Sequence, residues 1–151
     1  MMNEPIWICK KMEELTVSEL YSILRLRSEV FVVEQNCVYL DADGRDLGSY
    51  HLCGWLGNQL LAYCRILPPC PAYPQASIGR VLTHPAHRMD GYGKILMQKA
   101  IKKTYALFNV PDIKIGAQQY LLKFYSELGF QAIGDGYLED GIPHITMIHT
   151  L

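Results

Sequence analysis

Hydrophobic and polar residues alternate or recur at helical spacing along the chain, and this pattern predicts seven strands and three helices. Alternation over residues 6–12 predicts the first strand, and Thr16 with Glu19 forms a capping box for the first helix. Leu20, Ile23 and Phe31 then fall on one helical stripe. The other predicted strands are 51–56, 59–67, 76–83, 113–117, 131–137 and 145–149, and the other helices begin at Gly91 and span 120–128.

The predicted order is β-α-β-β-β-α-β-α-β-β, which is typical of a mixed α/β (α+β) sheet in one domain over residues 1–151. Two polar segments interrupt the pattern. Residues 35–49 carry three aspartates and few apolar side chains, and residues 138–143 join the last two strands, so both are predicted to be loops.

Composition narrows the class of protein. Half of the 151 residues are hydrophobic, 19% are charged, and the net charge is −1, which favours one packed domain and gives no basic surface for nucleic acid. No apolar run is long enough to cross a membrane. Five cysteines without a C-x-x-C pair, and an N-terminus unlike a signal peptide, predict reduced thiols and a cytoplasmic location.

A glycine-bearing loop follows the strand at 76–83 and opens the second long helix. It reads Arg88-x-x-Gly91-x-Gly93-Lys94. Free N–H groups at a helix start, with glycines that admit close approach, suit a diphosphate, although an ordinary helix start is equally compatible. A Walker loop would need glycine at Arg88, and a dinucleotide fingerprint would need glycine at Leu96.

Metal binding is not predicted. His84 and His87 have H-x-x-H spacing, but Pro85 lies between them and no further ligand type joins them.

The loop Arg88-x-x-Gly91-x-Gly93 resembles motif A of the GNAT acetyltransferase superfamily, and Tyr125-x-x-x-Gly129-Phe130 resembles its motif B. The resemblance implies a mostly antiparallel, twisted sheet of about six or seven strands flanked by helices. It also implies acetyl-coenzyme A (acetyl-CoA) as the co-substrate and Tyr125 as the general acid that protonates the leaving thiolate. The cofactor-binding residues implied are Val81, Leu82, Thr83, Arg88, Met89, Asp90, Gly91, Tyr92, Gly93 and Lys94.

Other segments resemble the ElaA-like group of GNAT proteins and run nearly end to end. They are 26–27, 30–37, 41–46, His51, 62–65, 78–81 and 139–144. The function implied is direct transfer of an acetyl group to an amine of a small-molecule or peptide acceptor. A backbone N–H near Val81 or Leu82 is expected to stabilise the developing oxyanion.

The general base and the acceptor ligands stay open at this point. Glu34, Glu139, His144 or a water chain are alternatives for the base. The expected acceptor ligands are Arg27, Phe31, Asp43 and Arg65. The two arginines would either hold an acceptor carboxylate or pair with Asp41, Asp43 and Asp46, which in turn form either an acidic rim or a solvated loop.

Two other functions compete with N-acetyl transfer. One is a non-catalytic CoA-binding or sensor module on the same fold. The other is an acyltransferase like the acyl-homoserine-lactone synthases, which share an arginine and a phenylalanine near the first helix. A homodimer through the apolar first and last strands is also possible.

Overall fold

The computed structural model describes residues 4–151, and it contains the seven strands and three α-helices in the predicted order. The strands are β1 (Ile6–Lys11), β2 (Tyr50–Leu56), β3 (Gln59–Leu67), β4 (Ala76–Thr83), β5 (Asp112–Gln118), β6 (Phe130–Glu139) and β7 (Ile142–Thr150). The α-helices are α1 (Val17–Arg27), α2 (Tyr92–Phe108) and α3 (Leu122–Glu127). A π-helical segment, Ser28–Glu34, continues α1, and short 3-10 turns occur at Met12–Glu14, Arg45–Gly48, Pro85–Asp90 and Gln119–Leu121.

All seven strands form one sheet in the order β1-β2-β3-β4-β5-β7-β6. Every neighbouring pair is antiparallel except β4 and β5, which run parallel. The mixed, mostly antiparallel sheet is therefore confirmed.

The helices cover both faces of this sheet. Alternate residues of β2 and β3 point to opposite faces, so Ala62 and Cys64 join one cluster of buried residues while Tyr63 joins the other. The first cluster includes α2 and α3, and the second includes α1. The predicted capping box sets the start of α1, because Thr16 Oγ1 accepts from the N–H of Glu19 at 3.1 Å and Glu19 Oε1 accepts from the N–H of Thr16 at 2.8 Å.

The parallel strands β4 and β5 separate soon after they begin. Their ladder has only two paired positions, Ala76 with Ile113 and Ser77 with Lys114. On its other side β4 has a register shift against β3, and Arg80 within it has a φ of +50°. A bulge of this kind bends the strand that carries it. The result is a gap in the middle of the sheet, between the C-terminal parts of β4 and β5.

The last hairpin differs from its prediction. Residues 138–143 were expected to form a polar loop, but β6 continues to Glu139 and β7 begins at Ile142. Asp140 and Gly141 both have positive φ, 51° and 77°, which is the backbone of a two-residue hairpin turn. The Asp-Gly pair adopts this turn readily because both residues tolerate the left-handed conformation.

The prediction that the first and last strands form a dimer edge is wrong for the last strand. The last strand, β7, lies between β5 and β6, so its backbone groups are paired on both sides and cannot meet a second chain. The two edges of the sheet are β1 and β6. Within residues 4–151, none of the helices is both long enough and apolar enough to cross a bilayer.

Candidate active site

A cavity of about 950 Å³ occupies the gap between β4 and β5. Its walls come from both strands, from the start of α2, from α3, and from the turn between β6 and β7. Residues 30–39, which follow α1, supply a further wall. The separation of two parallel strands thus produces one large site that several distant segments of the chain share.

The glycine loop opens into this cavity. Gly91 has a φ of +81°, and a Cβ built there would meet no atom within 4 Å, so the backbone is open to a ligand. Gly91 immediately precedes α2, a helix of 17 residues whose first N–H groups have no intrahelical partner. Arg88 and Lys94 also line the cavity. A helix start with two cationic side chains fits a phosphorylated ligand.

Seven of the ten predicted cofactor-binding residues line the cavity. The residues that line the cavity are Val81, Leu82, Thr83, Arg88, Gly91, Gly93 and Lys94. The side chains of Met89, Asp90 and Tyr92 do not. Met89 is 96% exposed, Asp90 lies 3.0 Å from His87 Nδ1, and Tyr92 packs against the core. These three side chains therefore do not face the cavity, and any part that Met89, Asp90 and Tyr92 take in cofactor binding falls to their backbone N–H groups, which stays a prediction.

Tyr125 lies on α3 at the cavity wall. Its side chain is 6% exposed, and the rings of Phe124 and Phe130 meet it edge-on, with centroids 5.1 and 5.9 Å away. Burial raises the pKa of the Tyr125 phenol, because the ionised form loses solvation. The phenol is therefore fully protonated at neutral pH, as a proton donor must be.

His144, on β7, also lines the cavity, and its surroundings fix the role of each ring nitrogen. Nδ1 lies 2.7 Å from the carbonyl oxygen of Ile142, so Nδ1 carries the proton and donates it to that oxygen. Nε2 lies 3.4 Å from Glu139 Oε2. The ring stacks on Tyr137, with centroids 5.7 Å apart. These contacts hold the imidazole in one orientation at the cavity wall.

Glu34 stands at the end of the π-helical segment and faces the glycine loop. Arg88 Nη2 donates to Glu34 Oε1 at 2.5 Å, and both side chains line the cavity. Both are about 40% exposed, at 42% for Arg88 and 41% for Glu34. One of the candidate bases is therefore paired with a residue that is expected to hold phosphate.

The acidic loop at 35–49 is held by three arginines. We call the six residues the charge cluster: Arg27, Arg65, Arg80, Asp41, Asp43 and Asp46. Arg27 Nε donates to Asp41 Oδ2 at 2.8 Å, and its Nη1 donates to Asp46 Oδ1 at 2.7 Å. Arg65 Nη2 donates to Asp43 Oδ2 at 2.7 Å. The three aspartates of the loop are thus paired with arginines and do not form a free acidic rim.

Arg27 has no exposed surface, so the expectation that it binds an acceptor is wrong. Its guanidinium is occupied by carboxylates inside the protein, which was the alternative interpretation. Arg65 is 3% exposed and bonds two carboxylates, although it lines the cavity together with Asp43 and Phe31. Of the four expected acceptor ligands, only Phe31 and Asp43 have side chains with appreciable solvent-exposed area in the cavity.

Sequence reasoning missed Arg80 as a cluster member. Its Nε lies 2.8 Å from Asp41 Oδ1, although the residue is 39 positions further along the chain. His51 was quoted only as part of a resemblance. Its Nε2 lies 3.0 Å from the carbonyl of Asp46, and Nδ1 lies 2.7 Å from the Tyr63 hydroxyl. Burial lowers the pKa of His51, so it is neutral and fastens the loop by hydrogen bonds.

Three further contacts join distant segments around the cavity, and no sequence pattern predicted them. Gln118 Nε2 donates to Gln35 Oε1 at 3.5 Å, and Cys37 Sγ lies 3.5 Å from the carbonyl of Asp140. Tyr137 comes so near Gly116 that a Cβ at residue 116 would lie 2.6 Å from its hydroxyl. Among residues 4–151, no group of three or more His, Cys, Asp or Glu side chains is arranged to hold a metal ion.

Comparison with known proteins agrees with this geometry. The family model for the acetyltransferase (GNAT) domain matches residues 32–151. A Synechocystis protein of the UPF0039 group is 43% identical over 143 residues, covering 94% of this chain and 93% of that protein. Among solved structures, an acyl-CoA N-acyltransferase from Pseudomonas aeruginosa is 44% identical with a TM-score of 0.90, and ElaA from Escherichia coli is 40% identical, also at 0.90. Each alignment covers 96% of this chain and 99% of the other.

The burial of Arg27 predicts a large loss of stability when its charge is removed. Replacing Arg27 with Met should lower the free energy of unfolding by about 3–5 kcal/mol, because Asp41 and Asp46 lose a buried partner. Urea unfolding measures the difference. Arg25→Met is the matched control, since Arg25 is exposed two residues earlier on the same helix, and it should cost less than about 0.5 kcal/mol. Equal losses in the two variants would contradict the role of the charge cluster.

The same residues predict acid destabilisation in two stages. Folding keeps His51 neutral by burial, so stability should begin to fall as the pH drops through the ordinary histidine pKa, about 6.5. Hydrogen bonds from Arg65 lower the pKa of Asp43, and those from Arg27 and Arg65 outweigh burial to lower the pKa of Asp46. Their contribution is complete above the ordinary aspartate pKa, about 3.9, and is lost below it. Urea unfolding at a series of pH values tests this, and a free energy of unfolding that rose between pH 7 and pH 3 would refute it.

Proposed function

This chain belongs to the GNAT acetyltransferase family and is an acyltransferase, and we propose that it transfers the acetyl group of acetyl-CoA directly to an amine. The acceptor is the amine of a small molecule or a peptide. One observation carries the proposal: the gap between β4 and β5 brings the glycine loop, Tyr125 and His144 into a single cavity. A phosphate-binding loop, a proton donor and a proton acceptor are the groups that such a transfer needs.

The residues present suit CoA. The N–H groups at the start of α2 and the side chains of Arg88 and Lys94 would hold its phosphates. Val81 and Leu82, on the wall of β4, would flank the thioester, and a backbone N–H from this strand would stabilise negative charge that develops on the carbonyl oxygen. Acetyl-CoA supplies the activated acyl group.

Side chains of the protein carry out the two proton transfers that the reaction needs. His144 Nε2 takes a proton from the attacking amine, whose nitrogen bonds to the acyl carbon. Tyr125 gives its phenolic proton to the sulfur as the carbon–sulfur bond breaks. His144 is favoured over Glu34 as the base because its tautomer is fixed by the carbonyl of Ile142, whereas Glu34 is paired with Arg88. Glu139, beside Nε2, would stabilise the imidazolium that forms.

Six cationic side chains and four carboxylates line the cavity, and the carboxylates beside the turn between β6 and β7 favour a cationic acceptor on that side. Arg65 and Arg80 line the wall, but Asp43 and the rest of the charge cluster neutralise them. Glu139 and Asp140 are exposed carboxylates on the same cavity. An amine carries positive charge before it reacts, so these side chains would attract it. We propose a cytoplasmic location, because all five cysteines are free thiols.

Binding of acetyl-CoA should stabilise the fold. At 100 times its dissociation constant a ligand adds about 2.7 kcal/mol, which corresponds to a rise of roughly 5–10 °C in the melting temperature of a domain of this size. ATP and NAD should give no comparable rise. Lys94→Gln, which removes one phosphate ligand, should reduce the rise by about half or more at the same ligand concentration, since a charged hydrogen bond contributes about 1.5–3 kcal/mol.

Lys102→Gln is the control for that loss, because Lys102 is exposed on the same helix and does not line the cavity. A melting temperature that no CoA ester raised, at saturating concentration, would overturn the proposal.

Replacing Tyr125 with Phe should separate catalysis from binding. The variant loses only the phenolic proton donor, so we expect turnover to fall by about 10²–10⁴-fold with an unchanged dissociation constant for CoA. Thiol release from acetyl-CoA, measured over a panel of primary amines, polyamines and lysine peptides, reports turnover. Tyr21→Phe, at an exposed tyrosine outside the cavity, should behave as wild type. Unchanged turnover in Tyr125→Phe would remove Tyr125 from the mechanism.

A further inference from the structure

Residues 28–37, which we call the arch, cross the cavity and contact three separate segments on the far side. Glu34 pairs with Arg88 of the glycine loop, Gln35 with Gln118 at the end of β5, and Cys37 with Asp140 in the turn between β6 and β7. Of these contacts only the first joins two opposite charges. The ion pair also joins a residue on the acceptor side to a residue of the proposed phosphate site.

We propose that Arg88 exchanges partners when CoA binds: it leaves Glu34 for the phosphate and frees the Glu34 carboxylate to receive the acceptor amine. This inference rests on the proposed function, because it takes the glycine loop as the phosphate site. Glu34 is thereby a positioning residue whose charge becomes available only after the cofactor has bound.

The exchange is favourable because the two partners differ in charge and in solvation. Both side chains of the Arg88–Glu34 pair are partly exposed to water, and exposed ion pairs of this kind contribute little free energy. A diphosphate offers more charge and several oxygens to the planar guanidinium, and the start of α2 holds it in the same place. Arg88 therefore interacts more strongly with the phosphate than with Glu34. The positive charge of the amine takes the place of the guanidinium beside Glu34.

Within residues 4–151, Arg88 is the one side chain that pairs with Glu34. Of the other arginines on the cavity wall, Arg65 and Arg80 are committed to aspartates of the charge cluster, and Arg45 stacks on the ring of Tyr73. Before CoA binds, Arg88 covers Glu34 and repels a cationic acceptor. Afterwards Glu34 adds its charge to those of Glu139 and Asp140.

A double-mutant cycle on CoA binding tests the exchange without an acceptor. The dissociation constant of CoA is measured by isothermal titration calorimetry for wild type, Glu34→Gln, Arg88→Gln and the double variant. Glu34→Gln should bind CoA roughly two- to five-fold more tightly, because Arg88 no longer has to leave a partner. Arg88→Gln should bind about ten-fold more weakly, and adding Glu34→Gln to it should change nothing further. Glu29→Gln, an exposed acid of the same arch outside the cavity, should match wild type.

Three results would overturn the proposal. In the first, Glu34→Gln binds CoA no more tightly than wild type, so no exchange occurs. In the second, Glu34→Gln tightens CoA binding by the same factor in the Arg88→Gln background, so Glu34 acts only by repelling the phosphate. In the third, a crystal structure of the CoA complex retains the Arg88–Glu34 pair, whereas the expected complex has Arg88 on a phosphate oxygen. If wild type failed to bind CoA, the proposed function would fall as well, and the calorimetry distinguishes that case.

Discussion

The site depends on the charge cluster that ties the acidic loop to the sheet. Residues 35–49 contain too little apolar surface to be ordered by hydrophobic burial, and three buried or half-buried carboxylates would be unstable without partners. Arg27 from α1, Arg65 from β3 and Arg80 from β4 supply those partners. One loop is thereby fixed to three separate elements, and with it one wall of the cavity takes a defined position.

Arg80 links this cluster to the shape of the cavity. Its left-handed backbone lies at the bulge that bends β4, while its side chain contacts Asp41. The ion pair offsets the cost of placing a non-glycine residue in that conformation. The bend separates β4 from β5 after two paired positions, and both strands keep a partner because β3 still pairs with the other edge of β4 and β7 with the other edge of β5. The same residue therefore holds the loop and shapes the cleft.

Local signals in the sequence predicted the elements well, and they failed where distant residues decide the outcome. Thr16 and Glu19 lie three positions apart, and their capping box is confirmed. Arg27 was ambiguous because its partners lie 14 and 19 residues away, and the Glu34–Arg88 pair spans 54. The Asp140–Gly141 turn was a local signal that the polar composition around it concealed.

The cavity separates the residues that serve the cofactor from those that meet the acceptor. Under the proposed function, cofactor contacts come from β4 and the start of α2, where backbone N–H groups would do much of the recognition. Acceptor contacts would come from the arch, which packs on the second buried cluster through Val30 and Phe31, and from the turn between β6 and β7. An enzyme of this kind would keep one acyl donor while a few exposed side chains set the acceptor. Glu34 is the point where the two halves meet, because its partner Arg88 belongs to the cofactor half.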